Sequence, residues 1–272
     1  MPPKRPKKTK KTTKTNKTAS ANESKQRIPF HFHAEAHAFS GTFHRPVLYP
    51  IAAQASVSLP TIGGHAHSRV ENFRVDGLVR FTAASSHVSG SWQNDEIITT
   101  HSTAVIEGLN ILDFITADRI VARLTSEHRV GDPEGHFLAL GSTFEGLKIA
   151  GHPTTVTLRH ELLVDCKDFA ALRDRLAKDK KPDKISVTTD GVALCSLAED
   201  INVQFPGLHK EGHILKIDHF GEISFAEVFA AFGTRTLTML RLKLGSPNGG
   251  NGTVVECTTN GQPMPPPGPS GN

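Results

Sequence analysis

The chain has 272 residues, with 31 Lys/Arg, 27 Asp/Glu and 15 His, a formal charge of +4 and a pI near 9.0. The charge is divided unevenly: residues 1–27 hold ten Lys/Arg against the single acid Glu23, leaving 21 basic and 26 acidic residues in 28–272, so a +9 arm precedes a −5 body. No apolar run reaches the roughly 18 residues of a membrane span, no apolar stretch follows the basic segment as in a signal peptide, and Cys166, Cys195 and Cys257 have neither disulfide-framework nor zinc spacing.

Residues 1–27 read as a disordered Lys-rich arm, because almost nothing apolar is there to offset the entropy of ordering it. Lys4, Arg5, Lys7, Lys8, Lys10 and Lys11 are its candidate polyanion-binding residues. No aromatic residue precedes Phe30, so arm contacts would go to phosphates or other anions without base stacking, and would weaken steeply with salt. The competing reading is a solubilising tail that binds nothing specific.

Residues 28–260 read as one β-rich domain. His31, His33 and His37 share a strand face opposite Phe30 and Phe32, and His65 and His67 share another. Clustered imidazoles suit zinc, copper or nickel, but no motif of fixed ligand spacing accompanies them. They are read as solvent-facing rows, with no metal site assigned. Period-two patterning recurs at Val75–Ala83, Thr103–Leu112, Thr116–His128, His136–Phe144, Thr154–Val164, His213–Asp218, Glu222–Phe229 and Leu237–Leu244. Between these runs, Asp76-Gly77, Glu107-Gly108 and Glu145-Gly146 read as three similar corners where glycine takes positive φ. Their acids could in principle form a calcium site or a glycosidase-like pair, but the shared turn context accounts for them.

One segment breaks the alternation. In Cys166–Lys184, Phe169, Leu172 and Leu176 fall at helical spacing, Asp165 or Asp168 can cap the start, and Pro182 follows. Leu237–Leu244, the turn-rich Gly245–Gly252 and the following TVVECTT read as a hairpin with a long loop. Residues 261–272, with five prolines and three glycines, read as a disordered tail. The expected fold is all-β: an antiparallel β-sandwich or barrel-like domain with one inserted amphipathic helix.

The runs ITADRIVARLTSEH, GSTFEGLKIAGHP and FGEISFAEVF with RTLTMLRLKLGSPNGG resemble the strand-and-turn core of largely uncharacterised bacterial β-rich proteins of the choice-of-anchor type. The likeness covers roughly 39–163 and 212–261, and it implies a β fold and a bacterial origin but no reaction. Neither a signal peptide nor an anchor pattern is read, which makes a cytoplasmic location the default expectation. No nucleophile elbow, Walker loop or G-x-G-x-x-G is present, so no catalytic residue and no cofactor is assigned. The expectation is a non-catalytic β-sandwich protein whose arm binds nucleic acid or another polyanion, of open oligomeric state. The alternatives are a self-assembling coat-type protein with a nucleic-acid-neutralising arm, or a metal- or glycan-binding module.

Overall fold

A computed structural model describes residues 30–45, 47–179, 186–189, 191–245 and 249–263. The candidate arm residues 4–11, the end of the expected helical stretch and residues 264–272 of the expected tail lie outside the described residues, whereas Gly261, Gln262 and Pro263, read as tail, pair with the first strand. The first strands are β1 (Phe30–Phe43), β2 (Tyr49–Gln54), β3 (Val57–Ser58), β4 (Gly64–Val75), β5 (Val79–Trp92), β6 (Ile97–Ile111) and β7 (Ile115–Arg129). Short strands follow: β8 (His136–Leu138), β9 (Thr143–Glu145), β10 (Lys148–Ile149), β11 (His152–Pro153) and β12 (Thr155–Leu158). After α1 (Glu161–Asp165) and α2 (Phe169–Lys178) come β13 (Val187–Thr189), β14 (Val192–Ser196), β15 (Ala198–Asn202), β16 (Leu208–Glu211) and β17 (Ile214–Ile217). The chain closes with β18 (Gly221–Ala231), β19 (Thr234–Leu244) and β20 (Gly250–Pro263).

Two antiparallel sheets pack face to face. The larger runs β13-β14-β18-β19-β20-β1-β2, with β17 beside β18, β16 beside β17 and β3 beside β1; the smaller runs β11-β10-β7-β6-β5-β4, with β8 and β9 on β7; β12 and β15 form a separate two-stranded sheet. The expected antiparallel sandwich is therefore what forms, and the sheets do not close into a barrel. Between them lie Phe39, Phe43, Phe225, Ile106, Ile111, Ile115, Ile120 and Leu124, all fully buried. Two polar ties cross the core: Ser102 Oγ donates to the Glu35 carbonyl at 2.7 Å, and Cys257 Sγ contacts the Ala122 carbonyl at 3.5 Å. All three cysteines are free and buried, and burial pushes the Cys195 and Cys257 thiols up to about 12, so both are inert.

Each sheet carries one row where the inward-facing parity of its strands switches. In β18, Ile223 and Phe225 point inward before Ala226, and Val228 and Ala230 after it. The same switch occurs at Met239 in β19, Val255 in β20 and Ala38 in β1, which lie side by side in register. Ala226 and Val255 have φ of 47° and 54°. In the smaller sheet the equivalent row is Asn72, Thr82, Gly108, Asp118 and Gly146, with positive φ at Asn72, Gly108 and Gly146. A left-handed residue on every second strand turns the chain over, and because the neighbours turn at the same row, the pairing register survives.

This geometry corrects four expectations. Gly77 does sit in a turn, but Gly108 lies inside β6 and Gly146 at the bend between β9 and β10, both in the switch row, although all three take positive φ. Val75–Ala83 straddles the β4–β5 hairpin, and His136–Phe144 breaks into β8 and β9. Thr154–Val164 is half strand, half helix: Leu162 and Leu163 are buried from the short α1. The amphipathic helix is α2, capped by the Asp168 carboxylate accepting from Ala171 N at 2.7 Å, with Phe169, Leu172 and Leu176 buried. Its start is anchored to the larger sheet by Glu134. That carboxylate accepts from Phe169 N at 2.6 Å, Gly233 N at 2.9 Å and Arg235 Nη1 at 2.9 Å, and Arg235 lies over the Phe137 ring at 4.5 Å.

Candidate functional site

The most elaborate polar site lies on the outer face of the larger sheet. Ser196, Glu227, Thr238, Glu256 and His37 follow one another in register across β14, β18, β19, β20 and β1. Four of them adjoin the parity-switch row, which turns Glu227, Thr238, Glu256 and His37 away from the core. Arg241 Nε donates to Glu227 Oε2 at 2.6 Å, and its Nη2 reaches Thr238 Oγ1 at 3.4 Å. Thr238 Oγ1 in turn donates to Glu256 Oε2 at 2.5 Å. On the other side, His213 Nε2 lies 3.4 Å from Glu227 Oε1, and the two side chains are only 4% and 8% exposed. Leu194, Glu227, Phe229, Thr236, Arg241 and Glu256 line an open depression of about 480 Å³, and Phe229 is 44% exposed at its wall.

The electrostatics define what this groove can do. Burial opposes ionisation of Glu227, but hydrogen bonds from His213 and Arg241 and the Arg241 charge outweigh it and hold the carboxyl below its ordinary range. Glu227 is thus an ionised acceptor, whereas a general acid needs a raised pKa. His37, which hydrogen-bonds Ser40 Oγ at 3.1 Å, is held below its ordinary range by burial against the pull of Glu256 and Glu35. An exposed aromatic wall beside fixed carboxylate, guanidinium and hydroxyl groups offers a ligand both a ring face and hydrogen-bonding groups.

The histidines singled out in the sequence do not converge. His31, His33 and His37 point outward from β1 in the larger sheet, whereas His65 and His67 point outward from β4 in the smaller one. No cluster of three or more His, Cys, Asp or Glu side chains able to hold a metal occurs among the described residues. The three acidic corners do not meet in one site. Glu107 and Glu145 flank Arg119 at 3.5 and 3.6 Å, while Asp76 pairs with Arg74. Sequence reasoning missed Glu227, Arg241 and Glu256, whose signal is a charged residue on each of three successive strands. None of the described helices is long and apolar enough to cross a membrane.

Comparison with known families places part of this architecture. A domain of unknown function, DUF8256, matches residues 30–184, more than half of the chain. The chain belongs to this family. The matched DUF8256 segment spans β1 to α2 and so contains the whole smaller sheet, while Glu227, Arg241 and Glu256 lie beyond it. No curated protein and no solved structure matches the chain.

Proposed function

We propose that this is a non-catalytic β-sandwich protein that binds polyanions through its Lys-rich arm. The observation that carries the reading is the charge division, ten basic residues against one acid in 1–27 and 21 against 26 in the remainder. Lys4, Arg5, Lys7, Lys8, Lys10 and Lys11 supply the contacts, six basic residues within eight positions. The body is a rigid carrier: β1, which follows the arm, is paired with β20 along its whole length, and its first ring, Phe30, packs on His128 with centroids 5.4 Å apart.

The test replaces those six residues with Gln in the full-length chain and follows duplex DNA binding against salt. If six phosphates are neutralised, the log–log slope should be shallower by about 5 in the variant. Equal slopes and equal elution from heparin would remove the arm from the function. A second reading, a glycan-binding module, is favoured by exposed Phe229 beside Glu227, Glu256 and Arg241 in the sheet groove. A glycan array probed with wild type and Phe229→Ala tests it: binding that the variant keeps would dismiss the groove.

A further inference from the structure

The register of the smaller sheet gathers four histidines that are scattered in sequence. His67 on β4 stands directly opposite His87 on β5, and the row continues through Thr103 on β6 to Arg123 on β7. The adjacent row is His65, Ser89, His101 and Thr125. All four histidines and Arg123 are exposed and face outward, with Arg69 one strand position beyond His67. Strand geometry puts His65 and His67 about 7 Å apart along β4, and β4 about 10 Å from β6. The imidazoles therefore occupy one patch roughly 10 Å across.

The chemistry of the patch differs from that of the arm. Between Lys25 and Lys148 the chain has no lysine, so every fixed cation there is an arginine. Most of those on the sheet already face an acid: Arg69 pairs with Glu71, Arg80 with Asp113, Arg119 with Glu107 and Glu145, and Arg129 with Glu127. Arg123 has no carboxylate partner among the described residues. The acids on these strands flank the patch and already face arginines: Glu127, one row beyond His101 and Thr125, pairs with Arg129, while Glu71 and Glu107, two rows from the His67 row, face Arg69 and Arg119. His101 Nδ1 is held 3.0 Å from Thr125 Oγ1. Burial, with the nearby His87 and Arg123 charges, holds its pKa below the ordinary value, so it presents a neutral ring in a positive surround.

We propose that the outer face of β4–β7 is a single-stranded nucleic-acid platform, with His65, His67, His87 and His101 stacking on splayed bases and Arg123 contacting phosphate. Open sheet faces whose aromatic rings stack two or three bases bind unstacked strands in this way, and imidazole and guanidinium planes both serve as stacking surfaces. Duplex offers no base faces, and the short Ser85, Ser89, Thr103 and Thr125 side chains around the rings provide nothing to enter a groove. Sulfated polysaccharide has no aromatic rings to stack and would engage the arm alone. The inference rests on the polyanion reading and gives it a substrate class. The arm supplies charge, and it joins the body at Phe30, beside Ile98 and His128, three residues along β6 from His101.

The experiment uses full-length protein and 15-nucleotide probes containing 2-aminopurine, measured by fluorescence anisotropy and by probe quenching. Wild type should prefer the single strand over the same-length duplex. His67→Ala/His87→Ala and His101→Ala should each weaken single-strand binding roughly tenfold and abolish quenching, with circular dichroism and Tm unchanged. Arg123→Gln should make the salt slope shallower by about 0.7. His31→Ala/His33→Ala, on the other sheet, should bind as wild type. Equal affinity for duplex or heparin, or histidine variants that still quench the probe, would overturn the platform. The six-Gln arm variant separates the two ideas. Should the arm reading fail, that variant loses nothing while the histidine variants still do; should the platform fail, the pattern reverses.

Discussion

Glu134→Ala probes how the helix is fixed to the sandwich. The substitution removes the acceptors of Phe169 N, Gly233 N and Arg235 Nη1, at 2.6, 2.9 and 2.9 Å. It leaves an Arg235 side chain that is 2% exposed without its counter-ion. Burial already pushes the Arg235 pKa down, and the Glu134 charge is the main opposing influence. Breaking a buried pair on one side typically costs about 3–5 kcal/mol, and the two orphaned amides each cost about 1–3 kcal/mol if counted alone. These contributions overlap, since one carboxylate serves all three donors, so the expected loss is about 4 kcal/mol. For a chain of this size that lowers Tm by roughly 10 °C. Urea denaturation followed by circular dichroism measures it, and hydrogen exchange at the Ala171 and Leu172 amides should show α2 fraying first. Arg235→Met added to Glu134→Ala should recover part of the loss, because the uncompensated charge is then gone. A single-mutant loss below about 1 kcal/mol, or strict additivity in the double mutant, would refute the assignment of this pair as the anchor.

Four further outcomes follow from the geometry. His37, His101 and His128 are each held below the ordinary value, chiefly by burial, so the unfolded chain binds more protons just below pH 6.5 and stability should fall as pH drops through that range. His128→Phe should flatten that part of a Tm-versus-pH curve, and an unchanged slope would count against the burial argument. At the parity-switch row, Gly108→Ala should cost about 2 kcal/mol or more: its φ is +62° and an added Cβ would stand 2.6 Å from Thr82 Oγ1. Ala226→Gly should stay within about 1 kcal/mol of wild type by chemical denaturation, because relief of its left-handed backbone offsets one lost buried methyl. In the groove, Arg241→Gln should bring the Glu227 carboxyl back toward its ordinary range, which carboxyl NMR titration reads directly.

Much of the fold was legible because one-sided burial writes period two into the sequence. Leu240, Leu242 and Leu244 alternate with Arg241 and Lys243, and all three leucines are buried. The same signal misleads where the chain turns over. In β19 the buried set shifts from Arg235 and Leu237 to Leu240 and Leu242 across Met239, so one strand reads as an alternating run preceded by noise. Glu227 and Glu256 sit beside such shifts, where neighbours on both sides are buried, and neither looked like an outward-facing residue. Cys166–Lys184 was legible as a helix because charges fill one face, whereas α1, only five residues long, carries too little periodicity to announce itself.

The imidazole patch failed to appear in the sequence for a different reason: pairing, not periodicity, assembles it. His67 and His87 are each ten residues from Gly77, so the tight turn there makes them partners. Ser89 and His101 are each six residues from Asp95, which carries the row into β6. Had the hairpin been centred on Gly77 rather than absorbed into one strand, the four rings would have been adjacent on paper. The parity switch then matters a second time. It lies beyond Arg69, so the histidines and the Glu71–Glu107–Arg119–Glu145 row stay on the same outward face. Those acids, facing Arg69 and Arg119, bound the patch on one side, and Glu127, facing Arg129, bounds it on the other, so the cation left between the two acidic rows for a bound strand is Arg123.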